Sequence, residues 1–230
     1  MTSESMCPIQ PWRTKLNRVF FQLSAWKTAS VLMMTVAPVV AETSRQNIGE
    51  ISELGGSVLA GPTFSGLKVI GENHSLAVED VIETRSRAHA VVRFVSGIHV
   101  RMGESTDLRI RSFSSDPHTE FAGIIDLFEG VLEVDVPSDR PVMAIATNTA
   151  AVQGTHATWV VLAEEANTQV WVLKGEVRVV QINPGREAEQ KDLLVTSPSL
   201  VELPALGAVL GPRLISDTEA ESIARKTRSE

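Results

Sequence analysis

One short unit occurs three times in this chain: an apolar run, a polar residue followed by glycine, and an alternating apolar run. The copies are Phe94–Val100, Leu127–Val134 and Val172–Val179, with glycines at Gly97, Gly130 and Gly175. Glycine adopts positive φ without a Cβ penalty, so each polar-Gly pair predicts a tight reversal between two strands. Three copies predict an all-β domain of repeated hairpins or coils, arranged as a β-roll, a solenoid-like coil or a sandwich.

Hydrophobic alternation supports the same fold class. From Arg87 to Val95 every second residue is apolar, as expected of a strand with one buried face. A shift of one residue would bury the arginines, so the register of this strand is well specified. The run from Ala157 to Leu162 lacks alternation, which predicts a strand covered on both faces. We expect Trp159 and Trp171, both flanked by Val and Leu, to pack in the core.

The amino-terminal 41 residues have the composition of an export signal. Four basic residues precede the mostly apolar run Thr28–Val40, and Val39-Val40-Ala41 fits the small-residue rule for cleavage. The sequence therefore predicts a secretory signal peptide over residues 1–41, with an uncleaved anchor as the alternative. After cleavage we expect no membrane-spanning segment and a periplasmic or secreted protein of a Gram-negative-type envelope.

Removal of that segment makes the chain more acidic. The remaining residues include 17 basic and 27 acidic ones, a net charge of −10 against −7 for the whole chain. Such a balance argues against a nucleic-acid partner, because that binding depends on neutralising phosphates with Lys and Arg. The only cysteine is Cys7, so the mature part has neither a disulfide nor thiol chemistry.

The rest of the chain divides by composition. We predict a flexible mature amino terminus over residues 42–50, a β domain over 51–204 and a tail over 205–230. Ser216 and Glu219 form a capping-box pattern, which predicts a short helix in this tail. Because Ile223 is the only large apolar residue after Glu219, we expect the helix to be a solvated end. The alternative is that Arg225, Lys226 and Arg228 form a contact site.

Catalytic and metal-binding patterns are weak. The five histidines lack metal spacing, although His89 and His99 would approach each other across the Gly97 turn if that turn closes a hairpin. Acidic pairs such as Glu164-Glu165 lie in apparent loops and are better explained as solvated charges than as the carboxylates of a glycosidase. We therefore predict a non-enzymatic protein with neither metal nor cofactor.

A cluster of arginines is the strongest candidate for binding. Alternation places a basic set on one exposed face: Arg87, His89, Arg93, His99 and Arg101. Guanidinium groups bind carboxylates and phosphates in a bidentate manner, so this face is suited to an anionic glycan, a lipid headgroup or an acidic partner. The alternative is that nearby carboxylates, Glu83, Glu104 and Asp107, neutralise these arginines.

Motifs in the middle of the chain resemble the FecR domain. Asp80 and Thr84 match the start of its first alternating strand, and Gly97 matches the turn that follows. Further matches are the Leu-x-x-Gly-x-Leu-x-Val step at Gly130, the Val-x-Gly-Thr motif at Gly154 and Thr155, and the closing Gly-x-Val-x-Val segment at Gly175. The resemblance extends over about residues 50–182.

This resemblance implies a role in binding. Well-known FecR proteins join a cytoplasmic anti-sigma segment to a periplasmic FecR domain that relays the state of an iron-siderophore receptor. About eighteen residues precede the longer apolar stretch that starts at Val19, too few for a folded cytoplasmic domain. The resemblance therefore implies an exported FecR-domain protein without the anti-sigma segment, acting as an envelope binding or scaffold module. The alternative is a periplasmic component of iron-siderophore signalling, and an envelope carbohydrate hydrolase ranks behind both.

Overall fold

The structure is a computed structural model that describes residues 45–116, 118–182, 191–205 and 208–228. The signal-peptide prediction for residues 1–41 lies outside these residues. Within them the chain forms seventeen strands and one α-helix, so the all-β prediction with a short carboxy-terminal helix is confirmed. The strands belong to two hydrogen-bonded sheets, A and B, and one strand takes part in both.

Sheet A contains, in spatial order, β17 (Leu210–Leu214), β16 (Ser199–Pro204), β13 (Asn167–Lys174), β12 (Ala157–Glu164), the second half of β9 (Phe121–Val136), β7 (His99–Met102), β6 (His89–Phe94), β1 (Gly49–Gly55) and β4 (Ser75–Leu76). Sheet B contains β15 (Asp192–Thr196), β14 (Glu176–Gln181), β11 (Ala150–Gly154), β10 (Val142–Ala146), the first half of β9, β8 (Thr106–Phe113), β5 (Val81–Thr84), β2 (Val58–Gly61) and β3 (Lys68–Val69). The pairings are antiparallel except β9 with β10, which is parallel. The helix α1 spans Asp217–Arg225.

The inward faces of the two sheets share one hydrophobic core, so the architecture is a β-sandwich. Val92 and Val134 contribute from sheet A, and Leu108 and Val179 contribute from sheet B. Trp159 is fully buried in this core, as predicted, and its ring lies where a Cβ on Gly154 would be 2.6 Å away. The absence of a side chain at Gly154 therefore makes room for the largest core residue.

The three repeated glycines have different roles. Gly97, with φ +82°, closes the β6–β7 hairpin, as predicted. Gly130 (φ +97°) and Gly175 (φ +79°) instead lie where the chain passes from one sheet to the other. Gly130 is inside the continuous strand β9, and Gly175 separates β13 in sheet A from β14 in sheet B. The prediction of reversals at these two glycines is wrong, because a positive φ serves a corner as well as a turn.

A second apolar cluster covers the outer face of sheet A. Val160, Trp171 and Leu200 point away from the main core and pack with Ile215 and with Ile223 of α1. The predicted capping box is present: the Glu219 amide donates to Ser216 Oγ at 3.2 Å, and the Ser216 amide donates to Glu219 Oε2 at 3.0 Å. The expectation that this helix is a solvated end is wrong, since Ile223 and Ala224 are buried.

Candidate functional site

Two arginines of the predicted basic face form ion pairs with acidic residues on neighbouring strands. Arg93 is paired with Glu50 on β1. Arg101 donates from Nη1 to Glu133 Oε1 at 2.6 Å, and this carboxylate on β9 is only 2 % exposed. The cross-strand neighbours of these two arginines are therefore acidic, and their positive charges are largely compensated. The alternative prediction, that carboxylates neutralise the arginines, therefore holds for Arg93 and Arg101. The carboxylates are Glu50 and Glu133, and not those considered from the sequence.

Those other carboxylates have different neighbours. Glu83 forms an ion pair with Arg85 at 2.8 Å, and Glu104 accepts a hydrogen bond from the backbone amide of Arg87 at 2.8 Å. Asp107 lies between Glu83 on β5 and Glu129 on β9. Its partial burial and the two neighbouring carboxylates raise its pKa.

The two histidines of the predicted face are separated. The register of the β6–β7 hairpin puts His99 opposite Arg93, whereas Ala90, next to His89, pairs with Met102 at the other end of the ladder. The hypothesis that His89 and His99 face each other is therefore wrong. His89 Nε2 lies 4.0 Å from Glu53 Oε1. Within the described residues, no group of three or more His, Cys, Asp or Glu side chains is arranged to hold a metal ion.

Glu133 fixes the end of the chain to sheet A. Besides Arg101, its carboxylate accepts a hydrogen bond from Thr227 Oγ1 at 3.1 Å and lies 3.4 Å from Arg228 Nη2. Three groups from two chain segments thus share one buried carboxylate, which holds the residues after α1 against β7 and β9. The alternation of β9 in the sequence does not distinguish this acid from an exposed one.

The remaining basic residues meet at a different place. A depression of about 270 Å³ is lined by the end of α1 and by the β5–β6 connection, and its charged members are Arg87, His89, Glu104, Arg225, Lys226 and Arg228. Arg87 and His89 of the predicted face therefore belong to a basic site whose other cations come from the carboxy-terminal tail. The sequence offered Arg225, Lys226 and Arg228 as an alternative contact site, but no local pattern connects them with residues 87–89.

The outer face of sheet B holds a separate arginine cluster. Arg109 donates from Nη2 to Asp126 Oδ2 at 2.7 Å, and Arg111 donates to the same carboxylate from Nε at 3.0 Å. Asp126 is only 4 % exposed, and Glu79 Oε2 lies 3.9 Å from Arg109 Nη1, so two carboxylates compensate the two arginines. The Arg109 guanidinium also lies 6.0 Å from the centre of the Phe128 ring.

The residues that carry the motif resemblance lie at strand ends and corners. Asp80 is buried and accepts hydrogen bonds from the Ala77 amide and from Arg45 Nη1, each at 2.8 Å. Thr84 Oγ1 donates to the Gly103 carbonyl at 2.6 Å and accepts from the Thr106 amide at 3.0 Å. Such bonds satisfy backbone groups where strands change sheet.

Two further motif positions lie near residue 140. Thr155 Oγ1 donates to the Arg140 carbonyl at 2.8 Å. A Cβ built on Gly97 would be 3.8 Å from Arg140 Nε. Residues from the Gly97 turn and from the end of β11 therefore lie close to the same arginine.

Comparison with solved structures finds two similar chains. Two crystal structures of proposed anti-sigma factors from Parabacteroides distasonis are similar: one at 17% identity with a TM-score of 0.50, the other at 18% with a TM-score of 0.49. The first covers 62% of this chain and 62% of its own length, and the second covers 62% and 64%. The chain thus spans less than two thirds of either relative. The first comparison supports a shared fold.

A search among curated proteins gives no significant match. Among the described residues, no helix has the length and apolarity needed to cross a membrane. A family model described as FecR protein matches residues 80–178, from the residue before β5 into β14. The predicted resemblance of the central strands to the FecR domain is therefore confirmed.

Proposed function

We propose that this protein is an exported, non-enzymatic FecR-like module that acts in the cell envelope by binding a partner protein in a signalling system. The observation that carries the proposal is the FecR match over residues 80–178. The predicted signal sequence supports export, and the compact sandwich provides a rigid support on which strand ends and the carboxy-terminal tail present charged groups.

A more specific candidate is a periplasmic part in iron-siderophore signalling, with a partner that supplies the output. The description of the similar Parabacteroides proteins as proposed anti-sigma factors favours this candidate over a purely structural role. Genomic context discriminates between the two. An adjacent sigma-factor gene and an outer-membrane receptor gene support signalling, whereas neighbours concerned only with envelope assembly support a scaffold.

Cell fractionation tests export, and chemical cross-linking tests partner binding. We expect the protein in the envelope or periplasmic fraction, with its amino terminus at Glu42 by mass spectrometry. Cross-linking of intact cells should then yield an adduct with one envelope protein. An uncut chain starting at Met1 in the cytosolic fraction would overturn the proposal.

A further inference from the structure

The basic depression at the end of α1 contains two cations that form no ion pair with a described residue. Within the described ranges, neither the Arg87 nor the Lys226 side chain has an ion-pair partner. Their neighbours are partly compensated, because Arg225 lies 3.6 Å from Glu221 and Arg228 lies 3.4 Å from Glu133. The depression therefore offers at least two free donors to an anionic group in a protein whose net charge is −7.

The backbone at this place is held in an unfavourable conformation. Arg87 has φ +57° and Ser105 has φ +50°, values that L-residues other than Asn and Asp seldom adopt. Such strain is retained only where the surrounding structure imposes it. It fixes Arg87 on a short connection against Glu104, so the free guanidinium starts from a well-defined anchor.

A second depression adjoins the first and has the opposite character. Its volume is about 400 Å³, and it shares Glu104 and Lys226 with the basic one. Its floor is apolar, formed by Val131, Leu162 and Ala163, and two more carboxylates, Glu129 and Glu164, lie on its rim. The two depressions, which adjoin at Lys226 and Glu104, are together termed the groove: one end is cationic, and the other is apolar and acidic.

We propose that this groove binds an extended peptide segment of a partner protein that carries an acidic residue, then an apolar residue, then a basic residue. The acidic side chain pairs with Arg87 and Lys226, the apolar one covers Val131 and Leu162, and the basic one faces Glu129 and Glu164. This inference rests on the proposed function and specifies where the partner binds.

The distribution of charge favours a peptide over a membrane or a simple anion. Three carboxylates line the acidic half of the groove, and they would repel an anionic bilayer surface or a second negative group. The charge pattern also provides specificity, because a uniformly acidic or uniformly basic segment places like charges together at one end.

A binding assay with three labelled peptides tests the inference. All three peptides have two charged residues at each end and two leucines between them. The bipolar peptide is Glu-Glu-Leu-Leu-Lys-Lys. In the other two peptides the four charged residues are all Glu or all Lys. Fluorescence anisotropy measures binding of each peptide to the protein, which is purified from the cells that produce and process it. We expect the bipolar peptide to bind most tightly and to lose affinity as salt rises, because the contacts are solvent-facing ion pairs.

Paired variants connect binding to the groove. We expect Arg87→Ala with Lys226→Ala to raise the Kd for the bipolar peptide about tenfold, as for the loss of two exposed ion pairs. The matched control, Lys68→Ala with Lys174→Ala, removes two exposed positive charges that line neither depression and should leave the Kd unchanged. Thermal melting of both variants establishes that each is folded.

Several results would overturn the inference: equal binding of the all-Glu peptide, wild-type affinity in the Arg87/Lys226 variant, or binding only to phosphatidylglycerol vesicles. The envelope cross-linking experiment separates this failure from failure of the proposed function. If both the wild type and the Arg87/Lys226 variant capture the same envelope protein equally, the function holds and the groove is not the docking site.

Discussion

The two outer faces of the sandwich both carry large apolar residues, and these residues lie in different environments. On sheet A, α1 and Ile215 cover Trp171 and Leu200, and the buried Glu133 binds the residues that follow α1. On sheet B, Leu194 is 65 % exposed. The difference shows that strand geometry fixes which residues share a face, whereas a distant segment decides whether the apolar residues of an outer face stay exposed or form a second core.

Shortening an apolar side chain on an outer face should have the largest effect on stability, and this effect should differ most between the two sheets. We expect Trp171→Ala to lower the free energy of unfolding by about 3–5 kcal/mol, because it leaves a cavity beneath α1. Leu194→Ala on sheet B should change it by at most about 0.5 kcal/mol. Urea denaturation measures both, and similar losses would remove the distinction between the faces.

Removal of the buried carboxylate should have an intermediate effect. Glu133→Gln removes the negative charge that Arg101 and Arg228 share, but both guanidiniums reach water, so we expect a loss of about 2 kcal/mol. The control is Asp192→Asn, which breaks an exposed pair with Arg178 on sheet B and should cost much less. Limited proteolysis of the tail after α1 should accelerate in Glu133→Gln and not in the control.

Acid should act in opposite directions on the two faces. The Ser216 amide and Arg213 lower the pKa of Glu219 from 4.5 to about 2, so its contribution is complete above about pH 4.5 and is lost as pH falls toward 2. The pKa of Asp107 is raised, so its contribution is present at low pH and is lost as pH rises through its folded value.

Denaturation midpoints between pH 7 and pH 2.5 measure these two contributions. In Glu219→Gln the midpoint should fall less on acidification than in the wild type. Asp107→Asn should raise the midpoint above that of the wild type, and by more at pH 7 than at pH 3. An unchanged pH profile in Glu219→Gln would show that the capping box does not hold α1 on sheet A.

Local sequence patterns correctly predicted the features that depend on neighbouring residues. The alternation of β6, the burial of Trp159 and the Ser216–Glu219 capping box could all be inferred, because each depends on residues close in sequence. The corners at Gly130 and Gly175 could not, since positive φ fits either a reversal or a change of sheet. The basic groove also escaped prediction, because Arg87 and Lys226 meet only through the burial of α1 and the anchoring of the tail by Glu133.

The most direct test of partner binding at the groove is site-specific photo-cross-linking in living cells. A photoreactive amino acid replaces Lys226 in one strain and Leu194, on the opposite face, in another. We expect a discrete adduct with an envelope protein from position 226 and none from position 194. An adduct from position 194 alone, or cross-links only to cytosolic proteins, would contradict the account.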